Sequence, residues 1–375
     1  MKSLTLHLAL LGLSASLAGA AWSASPELPA PQLQLVATSS QYTWNGIAVA
    51  DDGRIFANFP RWAEGTPSVA LVGKDGALTP YPGDGWNTWK PGDDPARHFV
   101  SVNSLHVDRS ENHLWVVDPA TPNFGPSVEG GPKLVEINLA TNQVLRVYPF
   151  SSQVAPRNSY LNDVRVLGRH AFVTESGTGA LLVLDRDSGQ VRRLLADSAL
   201  TKADPGIVPV VDGRPLTGAD GKSPQIHADQ IELSADRKTL YFMAPFGPRL
   251  YRVAVADLLD TSLGSAELER RVQVDRDVPP VGGIAMDQHD TLYLSEIQTH
   301  SIRAETPDGR TLWTLTDPRL DWPDAYSITA DGTVYMVAAQ VDRLPGFHQG
   351  TDARQPPYYL FSFKLTAPHV HKKTP

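Results

Sequence analysis

The sequence predicts an all-β fold, a six-bladed β-propeller built from four-stranded antiparallel blades. Three observations carry this. One pattern recurs six times along the chain. Each copy alternates apolar and polar residues with period two, the mark of a strand. Gly (29) and Pro (31) are plentiful among the 375 residues, which suits many turns rather than long helices.

The copies open at Asn45 (NGIAVADDGRIFANF), Asn103 (NSLHVDRSENHLWVVD), Asn162 (NDVRVLGRHAFVTES), Asp229 (DQIELSADRKTLYFMA), Gly282 (GGIAMDQHDTLYLSE) and Asp324 (DAYSITADGTVYMVA). Apolar residues take the third and fifth positions: Ile47/Val49, Leu105/Val107, Val164/Val166, Ile231/Leu233, Ile284/Met286 and Tyr326/Ile328. A turn follows, often Asp-Gly, and then a second strand rich in aromatic and β-branched residues. The openings lie 58, 59, 67, 53 and 42 residues apart. A four-stranded blade requires roughly 40–50 residues plus loops.

The third copy shows four strands in succession: NDVRVL, AFVTE, ALLVLD and VRRLLA. So does the fifth: GIAMD, LYLSE, SIRAET and TLWTL. The last copy has no fourth strand after YYLFSFKL (358–365). The segment QLQLVATS (32–39), ahead of the first copy, is predicted to supply it and close the ring. A two-sheet sandwich is the rival fold, and sandwiches do not show this sixfold period. Only VAVADLL (253–259) reads as a helical turn or two.

The first residues read as a secretory signal. Lys2 is the charged start, LTLHLALLGLSASLAGA is the apolar stretch, and Ala18, Gly19 and Ala20 form a small-residue cleavage site. The expected organisation is a signal peptide over 1–20, an N-terminal segment with the ring-closing strand over 21–41, the propeller over 42–365 and a flexible tail over 366–375. The mature chain is then secreted or periplasmic, without a stable membrane anchor. The formal charge is -8, and loss of Lys2 makes it -9. The one basic triplet is His371-Lys372-Lys373, and no longer Lys/Arg cluster is present, so no nucleic-acid partner is expected. With no cysteine, a disulfide, a thiolate nucleophile and a thiolate metal site are all excluded. No Gly-x-Ser-x-Gly elbow, HExxH helix or phosphate-binding glycine loop is present.

In a propeller the first strand of each blade lines the central channel, and the second runs back antiparallel to it. The start of the first and the end of the second therefore reach one rim. Asn45, Asn103, Asn162, Asp229 and Asp324 are the candidate ligand-binding residues there. Glu175 and Glu296, at second-strand ends, are the candidate catalytic residues, provided burial lifts their pKa toward neutrality. Such a ring suits calcium or another divalent cation. It equally suits amine-bearing or polyhydroxyl molecules. The bland alternative is that these residues form Asx turns with their own backbone. Arg61 and Trp62, in FPRWAEG, either stack on a ligand or pack a blade edge. The loops 118–133 and 203–228 are long enough to be lids, and the second ends near His227.

Several stretches resemble the yellow/major royal jelly protein family: FPRW, YLNDVRV with TESGTGALLVLD, LSADRKTLYFMAPFGPRLYRV, DPRLDWPDAYSI and RLPGFHQGTDARQPPYYLFSF. The likeness spans residues 42–365. It implies a secreted six-bladed propeller that binds a small amine or catechol-like ligand in its channel, in some members with dopachrome-type isomerase activity. The cysteines of many animal members are missing here. The repeat style is also similar to the gluconolactonase/regucalcin family. There the metal ligands are an acidic residue of the first blade and an Asn and an Asp at later blade starts. Asn162 and Asp229 match the latter two, and Asn103 matches a substrate-contacting Asn. The first-blade position is Asn45, which carries no carboxylate. Three readings therefore stand open: a ligand-binding or isomerase propeller, a metal-dependent lactone hydrolase, and a non-catalytic interaction module.

Overall fold

The computed structural model describes residues 27–62, 67–83 and 85–365. The expected signal peptide and tail lie outside the described residues. Within them, six four-stranded antiparallel sheets follow one another along the chain. Blade one holds Gly46–Val49, Ile55–Asn58, Val69–Val72 and Leu78–Pro80. Blade two holds Ser104–Asp108, His113–Asp118, Lys133–Asn138 and Gln143–Pro149. Blade three holds Leu161–Leu167, His170–Glu175, Ala180–Asp185 and Val191–Leu194. Blade four holds Gln230–Leu233, Thr239–Met243, Arg249–Ala254 and Gln273–Asp277. Blade five holds Val281–Met286, Leu292–Glu296, Ser301–Glu305 and Thr311–Thr316.

Blade six is assembled from both ends of the chain. Pro323–Ile328, Thr333–Ala338 and Tyr358–Lys364 are joined on the outer edge by Gln34–Ser39. Gln34 pairs with Ser362 and Ser39 with Tyr358. The strand predicted over 32–39 thus closes the ring and covers the edge that Tyr358–Lys364 would otherwise expose. The six first strands touch one another in a closed circle around the axis.

Neighbouring blades are held by apolar faces. The alternation in each strand sends one set of side chains to each side of the sheet. Trp115 and Leu134 of blade two meet Val164 and Leu182 of blade three. Phe172 and Val183 of blade three meet Ile231 and Phe242 of blade four. Ile47 and Val49 of blade one meet Val337 and Leu360 of blade six. The Asp-Gly signals form the expected hairpin turns. Asp52 Oδ1 accepts from Arg54 N at 3.0 Å, and Gly53 takes a φ of +85° that disfavours a side chain.

Two features break the regular pattern. Short helices, Val255–Leu259 and Ser265–Arg271, connect the third and fourth strands of blade four. The insertion 203–228 carries a small hairpin, Val210–Val211 with Arg214–Pro215, and bridges at Thr217 to His348. With loops of blades four, five and six it builds an apolar crown of Val211, Leu216, Phe246, Ile297, Trp322 and Phe347.

Candidate functional site

The residues that open the repeats form a hydrogen-bonded chain from blade to blade. Asn45 Nδ2 donates to Asn103 O at 2.9 Å. Asn103 Nδ2 donates to Asn162 O and Oδ1, each at 3.1 Å. Asn162 Nδ2 donates to Asp229 Oδ2 at 2.8 Å and to Ser176 Oγ at 3.0 Å. Tyr160 OH donates to Asn103 Oδ1 at 2.9 Å. Each amide donates to the next blade rather than to its own turn, so the Asx-turn alternative does not describe these three.

The chain stops at blade five, where Gly282 stands. A Cβ there would lie 2.2 Å from Pro323 O, and one on Gly283 would lie 2.0 Å from Asp324 O. Glycine is required because the backbone opening blade six passes so close. Asp324 completes the ring.

All six openings line one central cavity of about 460 Å³. Asp163, Asp229 and Asp324 share it. Burial, followed by the charge of Asp163, pushes the Asp229 carboxyl up to about 8, against the hydrogen bond from Asn162. Burial, then the charges of Asp229 and Asp163, raises Asp324 well above the usual carboxylate range. Neither Asp229 nor Asp324 is ion-paired with a Lys, Arg or His among the described residues.

Three residues further along each first strand lies a second layer: Ala48, His106, Arg165, Glu232, Ala285 and Ser327, all in the cavity wall. It is polar on blades two to four and small on the other three. Arg165 is bidentate to Glu232, at 2.7 and 3.0 Å, and reaches Asp163 at 2.9 Å. His106 makes no hydrogen bond among the described residues. Burial, then Arg165, Arg109 and Arg237, holds its pKa well below the ordinary value, so the ring is neutral. Sequence reasoning missed this layer. Superposing the repeats places His106, Arg165 and Glu232 in one column, and that column was the available signal.

Glu175 and Glu296 do not line the cavity. Glu175 is fully buried, but its carboxylate is saturated. Oε1 accepts from Tyr160 N (2.8 Å), Gly177 N (2.7 Å) and Thr178 N (2.9 Å), and Oε2 from Thr178 Oγ1 (2.6 Å) and Arg193 (2.7 Å). Burial raises its pKa, but these donors outweigh burial and leave it lowered. The expected shift toward neutrality is therefore corrected. Glu296 lies 2.8 Å from Arg303 Nε of the adjacent strand. Asp118, at the same point of blade two, is paired with buried Lys133 at 2.6 Å. Second-strand acids are corner pins, each held by a basic residue of its own blade.

Arg61 and Trp62 are also placed outside the cavity wall. Arg61 Nε donates to Val100 O at 2.9 Å, and its guanidinium lies over Trp89. Trp62 packs on the crown and stacks on Phe124, which stacks on Tyr160. His227 Nδ1 accepts from Ala203 N at 3.0 Å and serves the insertion.

A divalent cation does not fit Asn162 and Asp229 as they stand. The Asn162 amide turns a hydrogen, not an oxygen, toward Asp229, and its Oδ1 is engaged by Asn103. Asn45 offers Asn103 a donor as well. Among the described residues, Glu111, His113 and Glu136 are the one trio of acidic or imidazole groups drawn together closely enough for a metal. Arg186 already binds both glutamates there, at 2.6 Å each.

Comparison with known proteins agrees with the fold. No curated protein matches the chain. A luciferin-regenerating enzyme superposes with a TM-score of 0.53 at 11% identity, covering 90% of this chain and 96% of that one. A streptogramin B lyase gives 0.50 at 12% identity, over 89% and 98%. At such identity the likeness is one of fold alone. The family profile "Major royal jelly protein" matches residues 100–343, from the second repeat opening through the crown loop of blade six. The chain belongs to the major royal jelly protein family.

Proposed function

We propose that this protein is an exported small-molecule-binding propeller whose ligand carries a cationic amine, seated in the channel between Asp229 and Asp324 with Asn103 and Asn162 beside it. One observation carries the reading: two half-buried carboxyls face the central cavity, and no Lys, Arg or His is ion-paired with either among the described residues. Buried charge demands a partner. An ammonium group supplies it, and its arrival favours the ionised carboxylates. The apolar leader at the N-terminus supports export.

Calorimetry with tyramine tests this, with 3-(4-hydroxyphenyl)propionate as an anionic control of similar shape. Saturable binding of tyramine alone, lost in Asp229→Asn and Asp324→Asn, is expected. Equal binding of both probes, or tyramine binding indifferent to both substitutions, overturns it.

A second reading is proton transfer of the isomerase type. A carboxyl near neutrality is suited to general acid–base work, and Asp229 has that property, whereas Glu175 is held below its ordinary value. The lactone-hydrolase reading has less support, because the amide orientation at Asn162 opposes a cation.

A further inference from the structure

The channel has two ends of opposite character. At the repeat openings it meets the crown. Trp322 meets the ring of repeat openings at Gly282, where a Cβ would lie 3.0 Å from Cδ1 and 3.1 Å from Nε1 of its indole. Phe246 and Phe347 pack edge-on against Trp322. The crown loops are joined by backbone hydrogen bonds, Thr217 N to Phe347 O at 3.2 Å, Gln349 N to Thr217 O at 2.8 Å and Ala339 N to Trp322 O at 2.9 Å. None of these aromatic residues reaches the cavity wall.

The other end is different. There the wall includes Ala235, Arg237, Gln288 and Ala330, all exposed and all in the turns that join first strands to second. Arg237 has no ion pair among the described residues. Asp287, on the same rim, is engaged by Tyr293 OH at 2.8 Å and by its own turn. Between this rim and the amide ring lies the layer with His106, a neutral imidazole without a hydrogen-bond partner.

We propose that ligands reach the amide ring from the turn face, passing the rim of Arg237, Asp287 and Ala330 and then His106, and that the crown is a fixed roof rather than a lid. His106 is then the first unengaged polar group inside the channel. The inference gives the route to the site proposed above. Its test needs no ligand of that site, so the two fail separately.

The absence of cysteine makes the test direct. Ser327→Cys places a reporter thiol in the His106 layer, and His106→Cys serves there if the first variant does not fold. A second cysteine goes to the turn rim, Ala330→Cys, or to the exposed part of the insertion, Val208→Cys. The outer thiol is capped with a bulky maleimide–polyethylene glycol, too large for the channel. A small methanethiosulfonate is then added, and mass spectrometry follows the inner thiol. The expected result is a reactive inner thiol, slowed about tenfold or more by the cap at position 330 and less than about twofold by the cap at 208. Slowing by the 208 cap alone overturns the proposal. So does an inner thiol that reacts only when the protein unfolds.

Discussion

Asn162 and Asp229 open successive repeats and meet across a blade boundary, Nδ2 to Oδ2 at 2.8 Å. The bond steadies the carboxylate, yet burial wins and the Asp229 pKa stands at about 8. An acid whose folded pKa lies above its unfolded value binds extra protons in the folded state. Its stabilising contribution is complete below the unfolded value of about 4 and is lost as pH rises toward 8. Asp324 acts in the same direction. Asp229→Asn keeps an acceptor for Asn162 and removes the titration. It is expected to stabilise the ligand-free protein at pH 8 by on the order of 1 kcal/mol and to change little at pH 4.5. Urea titrations at both values measure it.

Glu175 calls for the opposite sign. Its folded pKa is lowered, so its contribution is present above the unfolded value and is lost as pH falls through the folded one. Breaking a buried pair by changing one partner costs ~3 kcal/mol or more. Glu175→Gln should lower the unfolding free energy from urea titration at pH 7 by that amount, with the gap closing in acid. Tyramine affinity of the folded variant should stay within about twofold, since Glu175 does not line the cavity. A large loss of affinity without loss of stability would return Glu175 to the site.

The orientation of Asn162 decides the response to metals. Calcium takes six to eight oxygen ligands, and the amide presents a donor instead. Adding calcium or EDTA should therefore move the melting temperature by less than about 1 °C. Asn162→Asp sets a carboxylate beside Asp229 and should create a calcium-dependent rise. A clear calcium shift in the unmodified protein would restore the cation reading.

These cases show which parts were legible in the sequence. Alternation of period two is a local signal, so the strands, the six openings and the closing segment 32–39 could all be read. The meeting of Asn45, Asn103 and Asn162 followed from radial repetition alone. The role of Glu175 could not be read that way. It depends on Arg193 and on the backbone of Tyr160, partners that no local pattern names. The crown hides in the same manner. Trp322 becomes a roof only because the insertion, Phe246 and Phe347 come together over it.

His300 ties the insertion to blade five. Nε2 lies 2.9 Å from Asp212 Oδ1, and Nδ1 lies 3.2 Å from Leu320 O. Burial lowers its pKa, but the bonds to Asp212 and Leu320 and the charge of Asp321 outweigh burial and raise it. A raised histidine pKa gives stability that is present below the unfolded value of about 6.5 and is lost as pH rises through the folded one. Amide exchange in residues 210–216, corrected for the intrinsic pH effect, should be faster at pH 8.5 than at pH 6. Asp212→Asn should abolish the difference. An unchanged difference in that variant would assign it to another group.

The ring closure sets the last expectation. Gln34–Ser39 contributes the outer strand of blade six, yet only Ala37 and Ser39 of its six residues are buried. Its importance lies in topology more than in apolar burial. Without it, Tyr358–Lys364 becomes an open edge in the blade where the chain must return on itself. Blades one and six also share a core in which Ala37, from this strand, sits with Trp44, Val337 and Leu360. Starting the chain at residue 42 therefore removes the edge pairing and loosens that junction together. Two outcomes are expected: a broader unfolding transition, because the six blades no longer form one cooperative ring, and concentration-dependent association through the freed edge. Light scattering and calorimetry over a concentration series measure both. A monomeric truncated chain with an unchanged sharp transition would mean that blade six closes without its fourth strand. A peptide covering residues 30–41 should reverse the association when added in excess, since it restores the register from Gln34–Ser362 to Ser39–Tyr358.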